Sequence, residues 1–191
     1  MHLEMTSEET AVLQWGVVIG ASLAAAIWDL RTRRIPNALT GPLLAVGLLY
    51  AGWHGGMEAL GQAAGACALL ALPFVLMFLF AGGGAGDAKF MGALGAWLGL
   101  SHGAIVLLSV CIAGIILAAA KAVALRRVKF VLVSTYFSLY TFMFSVMGHR
   151  AKDPSADEPR GDDNCGLTIP YGVAIFAGVC GAGVFVLLWQ G

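Results

Sequence analysis

The chain has 191 residues, of which 59% are hydrophobic and only 12% charged. Ordinary soluble domains carry about 25% charged residues, so this is the composition of a membrane protein. A net charge of zero argues against a nucleic-acid partner, which needs a basic surface, and four cysteines without CxxC spacing give no support to a zinc ribbon or a thioredoxin-like site.

The opening "MHLEMTSEET" is acidic and lacks the basic start of a signal peptide, so the first apolar run is read as a retained span. A helical span needs about 20 mostly apolar residues. In chain order the candidates are 11–28, 38–53, 59–81, 88–100, 103–125 and 168–189. The run at 88–100 is short and rich in glycine, which suits the inside of a bundle. Gly95 and Gly99 within it form a small-xxx-small face, read as helix packing. The stretch at 128–147 is long enough to span, yet it carries many Ser, Thr and Tyr residues and follows a basic knot, so span and interfacial helix both stay open. The segment 148–166 reads as a flexible polar loop from its Pro, Gly and Asp content. The expectation is an all-α, polytopic integral membrane protein of about six transmembrane helices, forming a single membrane-embedded domain over 1–191.

Lysines and arginines set the orientation. Arg31, Arg33 and Arg34 follow the first span, Lys89 opens the fourth, and Lys121, Arg126, Arg127 and Lys129 close the fifth. The intervening turns "GWHGGMEALG" and "LSHG" contain none. Positive-inside sorting then puts the N-terminus outside and the loops at 29–37 and 82–89 in the cytoplasm.

Of the eleven acidic residues, nine fall in the N-terminal tail, an outer turn or the polar loop. Asp29 and Asp87 remain. Asp29 ends the first span and Asp87 begins the fourth, which puts them at one membrane depth on one side. Two carboxylates brought close in a partly dry site share a proton. The ionised one can take a proton from water as that water attacks a peptide carbonyl. Its protonated partner can hydrogen-bond the carbonyl oxygen and later help protonate the departing amine. The glycines of "GGGAGD" let a substrate backbone approach closely. Against this stands a plainer reading of each residue alone. Asp29 could pair with Arg31, Arg33 or Arg34, and Asp87 could cap the fourth helix, which favours it by roughly 1 kcal/mol. The matched depth favours function for the pair.

At these aspartates the sequence resembles the prepilin peptidase family of GxGD intramembrane aspartic proteases. One motif stands as Gly84-Ala85-Gly86-Asp87 with Lys89 two residues on, the other as "DLRTRRIPN", Asp29 to Asn37, with its Ile35-Pro36-Asn37. The late "TIPYGVAIFAG" is similar to the family's closing helix. Long members carry an extra cytoplasmic domain with two CxxC pairs that N-methylates the new terminus. The chain has no counterpart, so it resembles the short form of tight-adherence (Flp-type) pilus systems.

The resemblance implies an aspartic endopeptidase of the inner membrane, with Asp29 and Asp87 catalytic and the site facing the cytoplasm. It implies a prepilin substrate, cut between a short hydrophilic leader and a hydrophobic helix at the membrane surface, with the lipid bilayer the only other partner and no metal or cofactor. Around the aspartates, Gly84, Gly86 and Lys89 are candidates for shaping the site or contacting substrate. Lys89 reads equally as a snorkelling positive-inside lysine. Pro36 disfavours helix at Ile35 and Asn37 can cap the second span, so Ile35, Pro36 and Asn37 are read as shaping the turn that positions Asp29. Pro170, Tyr171 and Gly172 are candidates to line the site, with ordinary packing at the start of a span as the alternative. Other readings of the same dyad are an archaeal-type preflagellin peptidase or a presenilin-like protease. A proton-coupled carrier or non-enzymatic assembly subunit ranks lower, because no internal repeat is evident and neither aspartate sits at the bilayer midplane.

Overall fold

The computed structural model describes residues 7–32, 34–81, 84–124 and 171–190. The 128–147 stretch, the polar loop and Pro170 lie outside them. Four helices run through the described residues: α1 (Ser7–Thr32), α2 (Asn37–Ala81), α3 (Ala85–Ala124) and α4 (Tyr171–Gln190). Glu9–Thr32, Asn37–Leu79 and Ala85–Ala120 are long and apolar enough to cross a membrane, and Tyr171–Val186 is a shorter apolar helix. The protein is all-α and polytopic.

A straight helix of 45 residues would be roughly 67 Å long, more than twice the ~30 Å hydrocarbon core. α2 has 45 residues and α3 has 40, and neither is straight. Each contains one residue outside helical geometry, Gly56 (φ 64°, ψ −155°) and Gly99 (φ 65°, ψ −177°). Only glycine occupies that region at low cost.

The contacts show that both glycines reverse the chain. Asn37 of α2 meets Lys89 of α3, and further along Leu43 and Tyr50 meet Trp97, so these segments run parallel. Beyond Gly56 the sense inverts, with Ala71 and Cys67 beside Gly92 and Ala66 beside Gly95. Beyond Gly99 it inverts again, with Gly65 beside Leu100 and Leu70 beside Gly103. Each long helix therefore takes in two of the spans expected from sequence, and the turns fall at the joins. Gly99 is a turn residue with nothing near its missing side chain, which corrects its reading as a packing residue. Gly95 does pack, since a Cβ there would lie 2.6 Å from the Ala66 carbonyl oxygen.

The first half of α3 is the core. Every residue from 90 to 98 is buried, and Phe90, Met91 and Leu94 are fully enclosed with Leu70, Val106, Val110, Ile175 and Val179. Large apolar side chains such as Trp53, Leu108, Ile115 and Leu188 point outward, as suits an exterior bathed in lipid. α4 joins α1 to the rest: Gly183 sits on Trp15, and Gly178 packs on the backbone of Val110. α1 and α4 run antiparallel, so the end of α1 and the start of α4 share one end of the bundle.

Candidate functional site

α1 ends at Thr32, whose hydroxyl donates back to the Trp28 carbonyl (2.9 Å) or forward to the Arg34 carbonyl (3.0 Å). The next residues turn sharply. Pro36 immediately precedes α2 in the capping position, its carbonyl accepting from the Leu39 N–H (3.0 Å) and the Thr40 N–H (3.4 Å). Asn37 is thus one position too far into the helix to cap it, contrary to the sequence expectation. Its Oδ1 instead accepts from Lys89 Nζ at 3.3 Å. Lys89 is exposed and joins the two motifs rather than holding Asp87.

The turn docks onto the glycine motif. Ile35 is buried at 8% exposure, and a Cβ on Gly86 would lie 3.5 Å from Ile35 Cβ and 3.6 Å from its carbonyl oxygen. Gly84 is the residue before α3, and its carbonyl accepts from the Asp87 N–H at 3.2 Å. Asp87 is therefore inside the first turn and is not the cap residue, although an acid in the first turn still favours the helix dipole. The missing side chain of Gly84 leaves room for the Asp87 carboxyl, since a Cβ there would lie 3.0 Å from Oδ2.

Asp29, in the last turn of α1, is 7% exposed. Its Oδ2 accepts from the Gly172 N–H at 2.8 Å, a buried bond. The two aspartates lie within electrostatic reach of one another. Tyr171, the first residue of α4, is half-buried, stands edge-on to Phe74 (6.4 Å between ring centroids, 87°) and is itself within electrostatic reach of Asp87. The structure thus gathers Asp29, Asp87, Gly84, Gly86, Ile35, Pro36, Asn37, Lys89, Tyr171 and Gly172 at one end of the bundle. The histidines His54 and His102 are at the other end, His54 against Tyr50 and His102 edge-on to Trp15.

Sequence reasoning did not single out Phe74 or Ala26. Phe74 backs the Tyr171 ring, and Ala26 lies beneath Gly172 with its Cα 3.2 Å from where a Cβ would stand. Neither carries a local signal, since each is one apolar residue in an apolar run.

The site holds a buried carboxylate with one N–H donor and, within electrostatic reach of it, a second and more accessible carboxyl; two carboxyls that approach closely share one proton. The family model of the type IV leader peptidase family matches residues 16–119, more than half of the chain. This chain belongs to the type IV leader peptidase family. Its general activity is that of a protease acting on prepilins from within a membrane. Comparison with curated proteins and with solved structures returned no significant match. The region matched to the leader peptidase family contains both aspartates and stops before α4, so Tyr171 and Gly172 reach the site from outside it.

Proposed function

We propose that this leader peptidase is an aspartic endopeptidase that removes the leader of Flp-type prepilins at the cytoplasmic surface of the inner membrane, with Asp29 and Asp87 as its catalytic pair. The observation that supports this reading is a buried Asp29 at the same end of the bundle as Asp87 and within electrostatic reach of it, on two helices separated in sequence. Structural carboxylates at span ends stay in headgroup water. Burying one beside another is costly, and such arrangements belong to sites that use the charge. Arg31, Arg34 and Lys89 are exposed at the same end, which agrees with a cytoplasmic orientation.

The chemistry follows from one proton shared by two carboxyls. The ionised carboxylate takes a proton from water while the hydroxyl adds to the scissile carbonyl carbon. The protonated partner gives its proton to the carbonyl oxygen, forming a gem-diol. The first aspartate then passes its proton to the amide nitrogen as the C–N bond breaks, and the second recovers a proton from the collapsing diol. One water is consumed, and the pair returns to its starting protonation.

The test is co-expression of wild type, Asp29→Asn and Asp87→Asn with a tagged Flp-type prepilin, read by gel shift and N-terminal sequencing of the product. Cleavage at the leader junction by wild type alone is the expected result. Wild-type rates from either folded variant would end the reading.

A further inference from the structure

The surroundings of the two aspartates are unequal, and the inequality comes from α4. The Gly172 N–H belongs to the first turn of that helix, where backbone donors have no partner within the helix and the dipole is positive. It is aimed at Asp29 Oδ2, 2.8 Å away in a buried position. Asp87 receives no comparable donor on its carboxyl from the described residues. It stands in the first turn of its own helix, but its own N–H is taken by the Gly84 carbonyl.

Glycine at 172 is required by space and not by backbone conformation. Among the described residues the glycines at positive φ are Gly56 and Gly99. A Cβ at 172 would lie 2.9 Å from Asp29 Cβ and 3.1 Å from its Oδ2. The missing side chain is what lets the start of α4 come close enough to donate. The titratable group within electrostatic reach of Asp29 is Asp87 from α3, while Tyr171 from α4 reaches Asp87 and Cys111, Arg31 and Arg34 are exposed, and Lys89 is bonded to Asn37.

Resting on the catalytic reading above, we propose that Gly172 is the positioning residue of the pair: its amide fixes Asp29 as the member that takes the proton from water and leaves Asp87 to carry the shared proton. A donor aimed at one carboxylate favours the ionised form of that group, and the same bond locks its rotamer. The assignment divides the two roles that the shared-proton chemistry leaves interchangeable.

The experiment uses full-length enzyme in nanodiscs with a prepilin substrate, comparing wild type, Asp29→Asn, Gly172→Ala and, as a control in the same helix, Gly181→Ala, which has nothing within 4 Å of the added methyl. Gly172→Ala is expected to lose about 100-fold in kcat, the scale for a reacting group misplaced by about 1 Å, with KM within about twofold of wild type. Gly181→Ala keeps the wild-type kcat and KM. A folded Gly172→Ala with wild-type kcat overturns the proposal.

Should that variant fail to fold, the amide proton resonance of Gly172 in wild type decides. It should move downfield as Asp29 ionises, and Asp29→Asn should abolish that movement. A Gly172 amide indifferent to both pH and Asp29→Asn overturns the proposal. Full cleavage by Asp29→Asn would remove the catalytic reading itself, whatever the amide does.

Discussion

Lys89 Nζ donates to Asn37 Oδ1 at 3.3 Å, joining residues 52 apart in sequence. Below this bond Gly86 rests on Ile35. The turn after α1 and the start of α3 are thus held together twice, once by packing and once by a charged donor. That junction ties the turn that follows Asp29 to the helix start that carries Asp87.

Breaking the polar half of the junction should loosen the pair without unfolding the protein. Lys89→Met and Asn37→Ala are each expected to slow prepilin cleavage several-fold, and the double variant to be little worse than either single one. A double-mutant cycle on the cleavage rate should then give a coupling of about 0.5–1.5 kcal/mol, the range for an ordinary hydrogen bond. Strictly additive losses would mean that the two side chains act separately, with Lys89 touching substrate instead.

The turns offer a test of backbone conformation alone. Gly56 and Gly99 have nothing within 4 Å of a built Cβ, yet their φ of 64° and 65° combined with extended ψ is closed to side-chain-bearing residues. Gly56→Ala and Gly99→Ala should each lower stability by about 1–3 kcal/mol, measured by unfolding in detergent. Asparagine should do no better than alanine at either site, because asparagine tolerates the left-handed helical region and this is a different one. Rescue by asparagine would contradict the geometry.

How much of this could be read beforehand depends on whether a feature is local. The spans are local in composition, and the joins between them fall where the helices turn. That Asp29 and Asp87 share one end of the bundle was legible because the alternation of basic and bare loops ties span ends to a side. Contacts between distant segments were not. That Gly172 donates to Asp29 depends on two helices meeting 143 residues apart, and "PYG" reads equally well as an ordinary span start. Gly99 was misread because a small-xxx-small pattern has the same letters whether its second glycine packs or turns. Asn37 was misread by one register position, since the Pro36 carbonyl already opens the helix.

Close helix packing gives a contrast within α3. A Cβ on Gly95 would lie 2.6 Å from the Ala66 carbonyl oxygen and 2.8 Å from Cys67 N, whereas Gly114 has nothing within 4 Å. Gly95→Ala should therefore destabilise by about 1–3 kcal/mol through overpacking. Gly114→Ala should be neutral or stabilise by up to about 1 kcal/mol, because alanine is the better helix former. Thermal unfolding of both in one detergent checks this, and equal effects would show that the α2–α3 contact is looser than described.

The pH profile tests the shared proton most directly. At low pH both carboxyls are protonated and no base is left to take a proton from water. At high pH both are ionised and no acid is left for the carbonyl oxygen. The cleavage rate with chemistry limiting should therefore fall on both sides of an optimum, with two apparent values that belong to the pair rather than to either residue. The roles assigned through Gly172 sharpen this. Any residual rate in Asp87→Asn should lose the high-pH fall, because the group whose ionisation causes it has gone, and keep the low-pH fall that follows Asp29. The reverse pattern would exchange the two roles, and a wild-type rate independent of pH would remove the dyad altogether. Single-turnover cleavage in nanodiscs, checked for rate-limiting chemistry by a solvent isotope effect, separates these outcomes.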